Sequence, residues 1–240
     1  MTAIAPLPAV FDRWAEVYDA QSNPLLLLEE RTIAPLFPPL DGARILDVGC
    51  GTGRWLQRLE PLHAASLHGT DSSPAMLERA RGKLAPTTQL TLTTCSLPSP
   101  DVSQDLILLS FVLSYIEDLP ALAHECARTL KPGGHLILSD MHPDTERQRG
   151  WTRSFSFQSE TIRLATYHRT LSEIVAAFTQ SGLSVCAVLE PSFDENERFA
   201  FAEAGHLDDF EALVSFPAIY LLKLQKPRAP DPRARPLEPK

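Results

Sequence analysis

Cysteine, basic charge and long apolar runs are all scarce in this chain. Its four Cys, at positions 50, 95, 126 and 186, are too few for a disulfide framework in 240 residues. They show no paired metal-ligand spacing either, so no metal site is expected. The longest aliphatic run, Leu25 to Leu28, is far too short to span a bilayer. The opening MTAIAPLPAVFDRW has neither the basic region nor the extended apolar stretch of a secretion signal. Thirty acidic side chains against 22 basic ones leave a net charge of −8. Such a chain is a poor partner for a phosphate backbone, because counterion release needs clustered Lys and Arg. Together these absences point to a cytoplasmic globular protein without a membrane or nucleic-acid partner. Nothing in the composition sets an oligomeric state.

What is present is 44% hydrophobic residues, ample for one compact core. Of the 21 Pro, five fall in 227–240, where almost no apolar side chain is available to bury, so 226–240 reads as a flexible tail behind a single domain over 1–225. Val10, Phe11, Trp14, Val17 and Tyr18 recur at helical spacing, and Pro24 suits the first turn of a second helix ending near Ile33. Short apolar strands are expected at 43–48, 66–71, 90–92, 106–111, 136–139, 183–189 and 218–224. Helices are expected at 54–59, from Ser73-Pro74 to Leu84, from Pro120 to Leu130, and from the capping box Thr170-x-x-Glu173 to Gly182. This alternation is that of a doubly wound α/β sheet. Residues 141–169 break the rhythm and read as a small β-rich cap inserted after the fifth strand. Insertions at strand C-termini sit beside the ligand crevice of such sheets. Cys95, Cys126 and Cys186 read as small buried apolar residues.

The densest chemical signal is Leu46-Asp-Val-Gly-Cys-Gly-Thr-Gly-Arg54, between the first strand and its helix. Glycines there let the backbone turn sharply and approach a ligand. A dinucleotide loop would place its third Gly at position 54, which is Arg, and no Lys-Ser/Thr end marks a phosphate-cradling loop. The second strand ends at Asp71, well placed to accept both hydroxyls of a ribose. The implied ligand is a nucleoside with a short zwitterionic arm.

Leu46–Arg54, Gly69-Thr-Asp-Ser-Ser-Pro-Ala-Met-Leu77 and Leu130-Lys-Pro-Gly-Gly134 resemble the class I S-adenosylmethionine-dependent methyltransferases, most nearly the small-molecule enzymes related to the ubiquinone/menaquinone methylases. The resemblance runs from Phe11 to Lys226 and is dense over 43–140. It implies a mostly parallel, seven-stranded Rossmann-like sheet with its last strand antiparallel, a helical lid over 1–40, and S-adenosyl-L-methionine as cofactor. By the same resemblance Asp47, Gly49, Cys50 (through its backbone), Gly51 and Gly53 hold the methionine arm and Asp71 the ribose. Ser72 and Met76 line the adenine, Ser110 and Phe111 pass under the sulfonium, and Tyr18 closes over the cofactor. The family's Gly-Asp-Ala element falls on Leu92, Thr93 and Thr94; its acid is absent, so a threonine hydroxyl or a backbone group replaces that hydrogen bond.

On the acceptor side the candidates are His142 and His168 for proton transfer, and Tyr115, Asp140 and Trp151 for substrate contact. The alternative for each His is a surface or capping role. Residues 141–170 hold five Arg against three acids, which suits a solvated cap face or an anionic group on the acceptor. The expected activity is methyl transfer to an O, N, S or C nucleophile of a small molecule. The alternatives are a cofactor-binding protein of this fold without methyl transfer, or an RNA or protein methyltransferase, which needs a basic face that the sequence does not display.

Overall fold

The computed structural model describes residues 7–20, 22–93, 97–203, 205 and 207–228; Thr94, Cys95 and most of the expected tail lie outside these. Its centre is a seven-stranded sheet in the order β3-β2-β1-β4-β5-β9-β8. The strands are β1 (Arg44–Val48), β2 (Ser66–Asp71), β3 (Gln89–Leu92), β4 (Gln104–Ser110), β5 (Leu130–Met141), β8 (Ser184–Leu189) and β9 (Ile219–Gln225). Neighbours from β3 to β5 pair in parallel, whereas β9 runs antiparallel to both β5 and β8. The expected sheet, with its last strand reversed, is the one observed.

The apolar run in β4 follows from cover on both faces. Leu106 and Leu108 join one core with β1's Ile45 and with Trp55 and Leu56 of α3 (Arg54–Leu59). Ile107 and Leu109 join the other, with Leu122 and Ala123 of α5 (Leu119–Thr129) and Phe178 of α7 (Leu171–Gln180). All four β4 leucine and isoleucine side chains are fully buried, so no polar alternation is tolerated there. Helix α3 reaches the sheet because Gly69 presents no side chain: a Cβ there would lie 2.5 Å from Leu56 Cδ1 and 2.8 Å from Cys50 Sγ. The Thr170–Glu173 capping box is formed as expected. Helix α4 (Pro74–Arg81) stops short of Leu84, with Gly82 as its cap.

The described residues before β1 divide in two. Helix α1 (Leu7–Ala15) and the single turn Tyr18–Ala20 roof the ends of the strands. Helix α2 (Pro24–Ile33) is instead part of the core, with Leu28, Glu29 and Ile33 buried, because its Leu-rich face packs on the sheet. The insertion after β5 holds a helix that its sequence did not suggest, α6 (Pro143–Arg149), before the expected hairpin β6 (Ser154–Phe157) and β7 (Glu160–Arg163). Phe155 and Phe157 of β6 pack with Val10 of α1, and Trp14 stacks on Phe155 at 5.2 Å between centroids. Two short helices, α8 (Arg198–Glu203) and α9 (Leu207–Leu213), bridge β8 and β9. Cys126 is buried, but Cys186 is exposed: it lies on edge strand β8, where the register shifts and most side chains face solvent.

Candidate active site

A cleft of about 1030 Å³ opens at the C-terminal ends of β1, β2, β4 and β5, beneath α1 and beside the hairpin. This is where an open parallel sheet binds ligands, and its size stands at the top of the range of roughly 300–1,000 Å³ usual for small-molecule sites. Its lining includes Tyr18, Gly49, Gly51, Asp71, Ser72, Met76, Thr93, Ser110, Phe111 and Tyr115.

The loop after β1 is made by backbone geometry that only glycine takes readily. Gly49, Gly51 and Gly53 have φ of 71°, 54° and 82°. A Cβ on Gly49 would fall 2.5 Å from Val112 Cγ2, so the loop and the end of β4 close on each other without side chains between. Gly53 does not reach the cleft; it begins α3 against Ala80 and Leu84. The backbone N–H of Cys50 donates to Thr70 O at 2.8 Å, while its thiol is buried in the core and pushed upward in pKa by that burial. Asp71 locks the loop onto β2: Oδ2 accepts from Gly51 N–H and Oδ1 from Ser73 N–H, both at 2.9 Å. Burial raises its pKa and these backbone donors oppose the rise. Phe111 at the end of β4 has φ 53°, a conformation costly for an aromatic residue and common at functional sites.

Asp47 lies behind the loop rather than on the cleft wall. It is 1% exposed, its Oδ1 has no hydrogen-bond partner, and burial lifts its carboxyl to about 7 despite the nearby Arg54 guanidinium. Arg54 is held by a buried carboxylate that sequence reading missed, Glu29 of α2. Glu29 also accepts from Ser110 Oγ at 2.7 Å, Trp55 Nε1 at 3.2 Å and Ser139 Oγ, joining α2, α3, β4 and β5 beneath the cleft. The available signal was an acid four residues from both Leu25 and Ile33, inside the apolar face of a helix. Two more aspartates tie the roof to the cleft. Asp12 accepts from Ser73 Oγ at 2.6 Å and Ala75 N–H at 3.2 Å; Asp19 accepts from Thr52 Oγ1 at 2.7 Å and Lys83 Nζ at 2.9 Å.

The acceptor-side candidates separate. Tyr115 lines the cleft, its hydroxyl buried and without a hydrogen-bond partner, and burial raises its pKa. Asp140 lies beneath the surface, where Oδ1 accepts from Arg153 Nη2 and Met141 N–H and Oδ2 from the Ser114 N–H and Oγ. Arg153, unremarkable within the cap sequence, lines the cleft and lies over the Tyr115 ring at 5.4 Å. Trp151 packs against the core instead of the cleft. Neither histidine lines the cleft. His142 is buried, with Nε2 3.0 Å from Glu190 Oε2. His168 is exposed, with Nδ1 4.0 Å from Glu146. Strand β5 runs to Met141, so His142 precedes the next helix as its cap residue and turns its ring toward Glu190, just past the end of β8. Among the described residues no group of three or more His, Cys, Asp and Glu is arranged to hold a metal ion, and no helix is long and apolar enough to cross a membrane.

Comparison with known proteins agrees with this geometry. A family described as a methyltransferase domain matches residues 46–138. An uncharacterized protein of Haemophilus influenzae is 29% identical over 90% of this chain and 95% of its own length. A demethylmenaquinone methyltransferase of Tropheryma whipplei is 34% identical over 58% of this chain, and the match spans 61% of that relative. An S-adenosylmethionine-dependent methyltransferase structure from Mesorhizobium loti shares the fold at 23% identity, covering 82% of this chain and 97% of that one, with a TM-score of 0.66. The glycine loop and Asp71 at the end of β2 both fall within the matched methyltransferase domain, and the chain shares the fold of S-adenosylmethionine-dependent methyltransferase structures. It is similar to the menaquinone methyltransferases among its relatives, and its cofactor is S-adenosylmethionine.

Proposed function

We propose that the protein transfers the methyl group of S-adenosylmethionine to a nucleophilic atom of a small-molecule acceptor. The observation that carries this reading is the single cleft: it takes in the glycine loop and Asp71 at one end and Tyr115, Arg153 and the cap hairpin at the other, with room for two ligands together. The residues fit the cofactor. Gly49 and Gly51 leave backbone open to the methionine arm, the unpartnered Asp47 Oδ1 places a carboxylate behind it, and Asp71 keeps lone pairs for a ribose. Ser72, Met76 and Thr93 border the adenine side; Thr94 belongs to the same proposal by sequence.

When bound, the cofactor supplies a methyl group already activated on a sulfonium. The chain's contribution is then alignment and exclusion of water, and good positioning alone is worth roughly 7–11 kcal/mol. No histidine lines the cleft among the described residues, and burial keeps the phenols of Tyr18 and Tyr115 protonated, so they serve as donors rather than bases. Phe11, Trp14 and Tyr18 cover the cleft from α1 and the turn after it. A small molecule is favoured over a macromolecule because this roof encloses the acceptor end. Incubation with labelled S-adenosylmethionine and a fractionated small-molecule extract tests the reading: labelled product and stoichiometric S-adenosylhomocysteine are expected, and cofactor binding without turnover on any fraction refutes it.

A further inference from the structure

The acceptor end of the cleft carries two neighbouring hydrogen-bond donors, Arg153 and Tyr115, that interact electrostatically with each other but have no well-aligned hydrogen bond for the Arg153 Nε–H or the Tyr115 hydroxyl. Arg153 is 9% exposed, and only part of its guanidinium is occupied: Nη2 reaches Asp140 and, at 3.1 Å, Ser114 Oγ. Its Nε–H is buried without a partner. The hydroxyl of Tyr115, whose ring lies under the same guanidinium, is also buried without one. A buried unmade hydrogen bond costs about 1–3 kcal/mol, and more for a charged group. Both residues line the cleft, so a rotation of either side chain turns its donor toward a ligand oxygen, an acceptor that the free protein does not supply.

We propose that Arg153 and Tyr115 form a carboxylate subsite, and that the methyl acceptor is a small carboxylic acid with an apolar or aromatic body. This rests on the methyltransferase reading and names the acceptor class for that site. Three observations favour an ionised oxygen over a neutral one. Asp140 does not cancel Arg153 for a ligand, because its own charge is spread over four donors: Arg153, Met141 N–H, and the N–H and Oγ of Ser114. Of the three acids that line the cleft, Asp71 lies at the glycine-loop end, and Glu117 and Asp118 are exposed, where water screens them. The cleft also offers no histidine among its described residues, and a carboxylate arrives ionised without needing one. The apolar body follows from Phe11, Trp14 and Ile116, which share the lining with this pair.

The test uses the full chain saturated with S-adenosylhomocysteine, with benzoate as probe and benzamide as its neutral counterpart, both followed by calorimetry. Tyr115→Phe removes only the hydroxyl, and Arg153→Lys keeps the charge and the pairing to Asp140 but loses the Nε–H. Hydrogen bonds to a charged partner predict that benzoate binds at least about tenfold more tightly than benzamide, and that each variant weakens benzoate by about tenfold. S-adenosylhomocysteine binding stays unchanged in both, and benzamide, whose neutral carbonyl takes the same donors, weakens less than benzoate. Benzoate binding that is absent, no tighter than that of benzamide, or indifferent to Tyr115→Phe overturns the subsite. Failure of the wild-type chain to bind S-adenosylhomocysteine overturns instead the reading on which it rests.

Discussion

Glu29 and Arg54 form an ion pair inside the protein, the carboxylate completely buried and the guanidinium nearly so. Burial is the largest influence on Arg54 and pushes its pKa down, but Glu29, Tyr18 and Asp47 together outweigh it, so Arg54 keeps its charge. Removing one partner of a buried pair leaves the other uncompensated, at a cost of about 3–5 kcal/mol. Glu29→Ala is therefore expected to lose that much stability in urea unfolding. The double variant Glu29→Leu/Arg54→Met is expected to recover most of it, since apolar replacement of both partners is often neutral. Additive losses in the double-mutant cycle contradict the pairing.

Asp47 makes stability depend on pH. Its carboxyl titrates near 7 in the folded chain and near 3.8 when unfolded, so the folded state binds more protons between these values. Stability from this group is full below pH 3.8 and falls as pH rises through about 7, by about 4 kcal/mol in all. Asp47→Asn is expected to stabilise the protein at pH 8 far more than at pH 4.5, and to weaken S-adenosylmethionine binding. Equal effects at the two pH values in guanidinium unfolding remove the assignment.

Asp71 holds the loop, and on the proposed reading it also holds the ribose. Asp71→Ala is expected to weaken S-adenosylhomocysteine binding by at least about 1.5–3 kcal/mol, the range for hydrogen bonds to a charged partner. Loss of its bonds to Gly51 and Ser73 adds to this. An unchanged dissociation constant by calorimetry shows that the ribose lies elsewhere.

The aspartates of the roof predict a kinetic effect. Asp19 is exposed and Asp12 half-buried, and surface contacts of this kind contribute about 0.2–1 kcal/mol each. The Asp12→Ala/Asp19→Ala pair is expected to leave the thermal midpoint nearly unchanged while speeding cofactor dissociation several-fold. Trp14, on the cleft wall, gives the fluorescence signal for stopped flow. An unchanged off-rate shows that α1 does not gate the cofactor.

The cofactor end of the cleft was legible in the sequence because its parts are local. The turn at Gly49–Gly53, Asp71 at a strand end and Ser73-Pro74 at a helix start each encode their geometry within a few residues. The acceptor end was not. Arg153 and Tyr115 meet only after a helix and a hairpin have folded back onto the end of β5, and neither has a spacing that announces the other. His142 and His168 were plausible by their place after strand five and before α7, yet burial against Glu190 and exposure beside Glu146 keep them off the cleft. Glu29 lay in plain view as an acid on an apolar helical face, but only the sheet beneath it shows that Arg54, Ser110 and Ser139 converge there.

Helix α1 touches both halves of the cleft. Asp12 fastens it to the start of α4, on the cofactor side, and Trp14 and Phe11 pack it against Phe155 and Tyr115, on the acceptor side. Whatever shifts α1 at one end is felt at the other. On the proposed reading, cofactor and acceptor affinities are expected to be linked through α1, and the coupling is reciprocal: each ligand changes the other's affinity by the same factor.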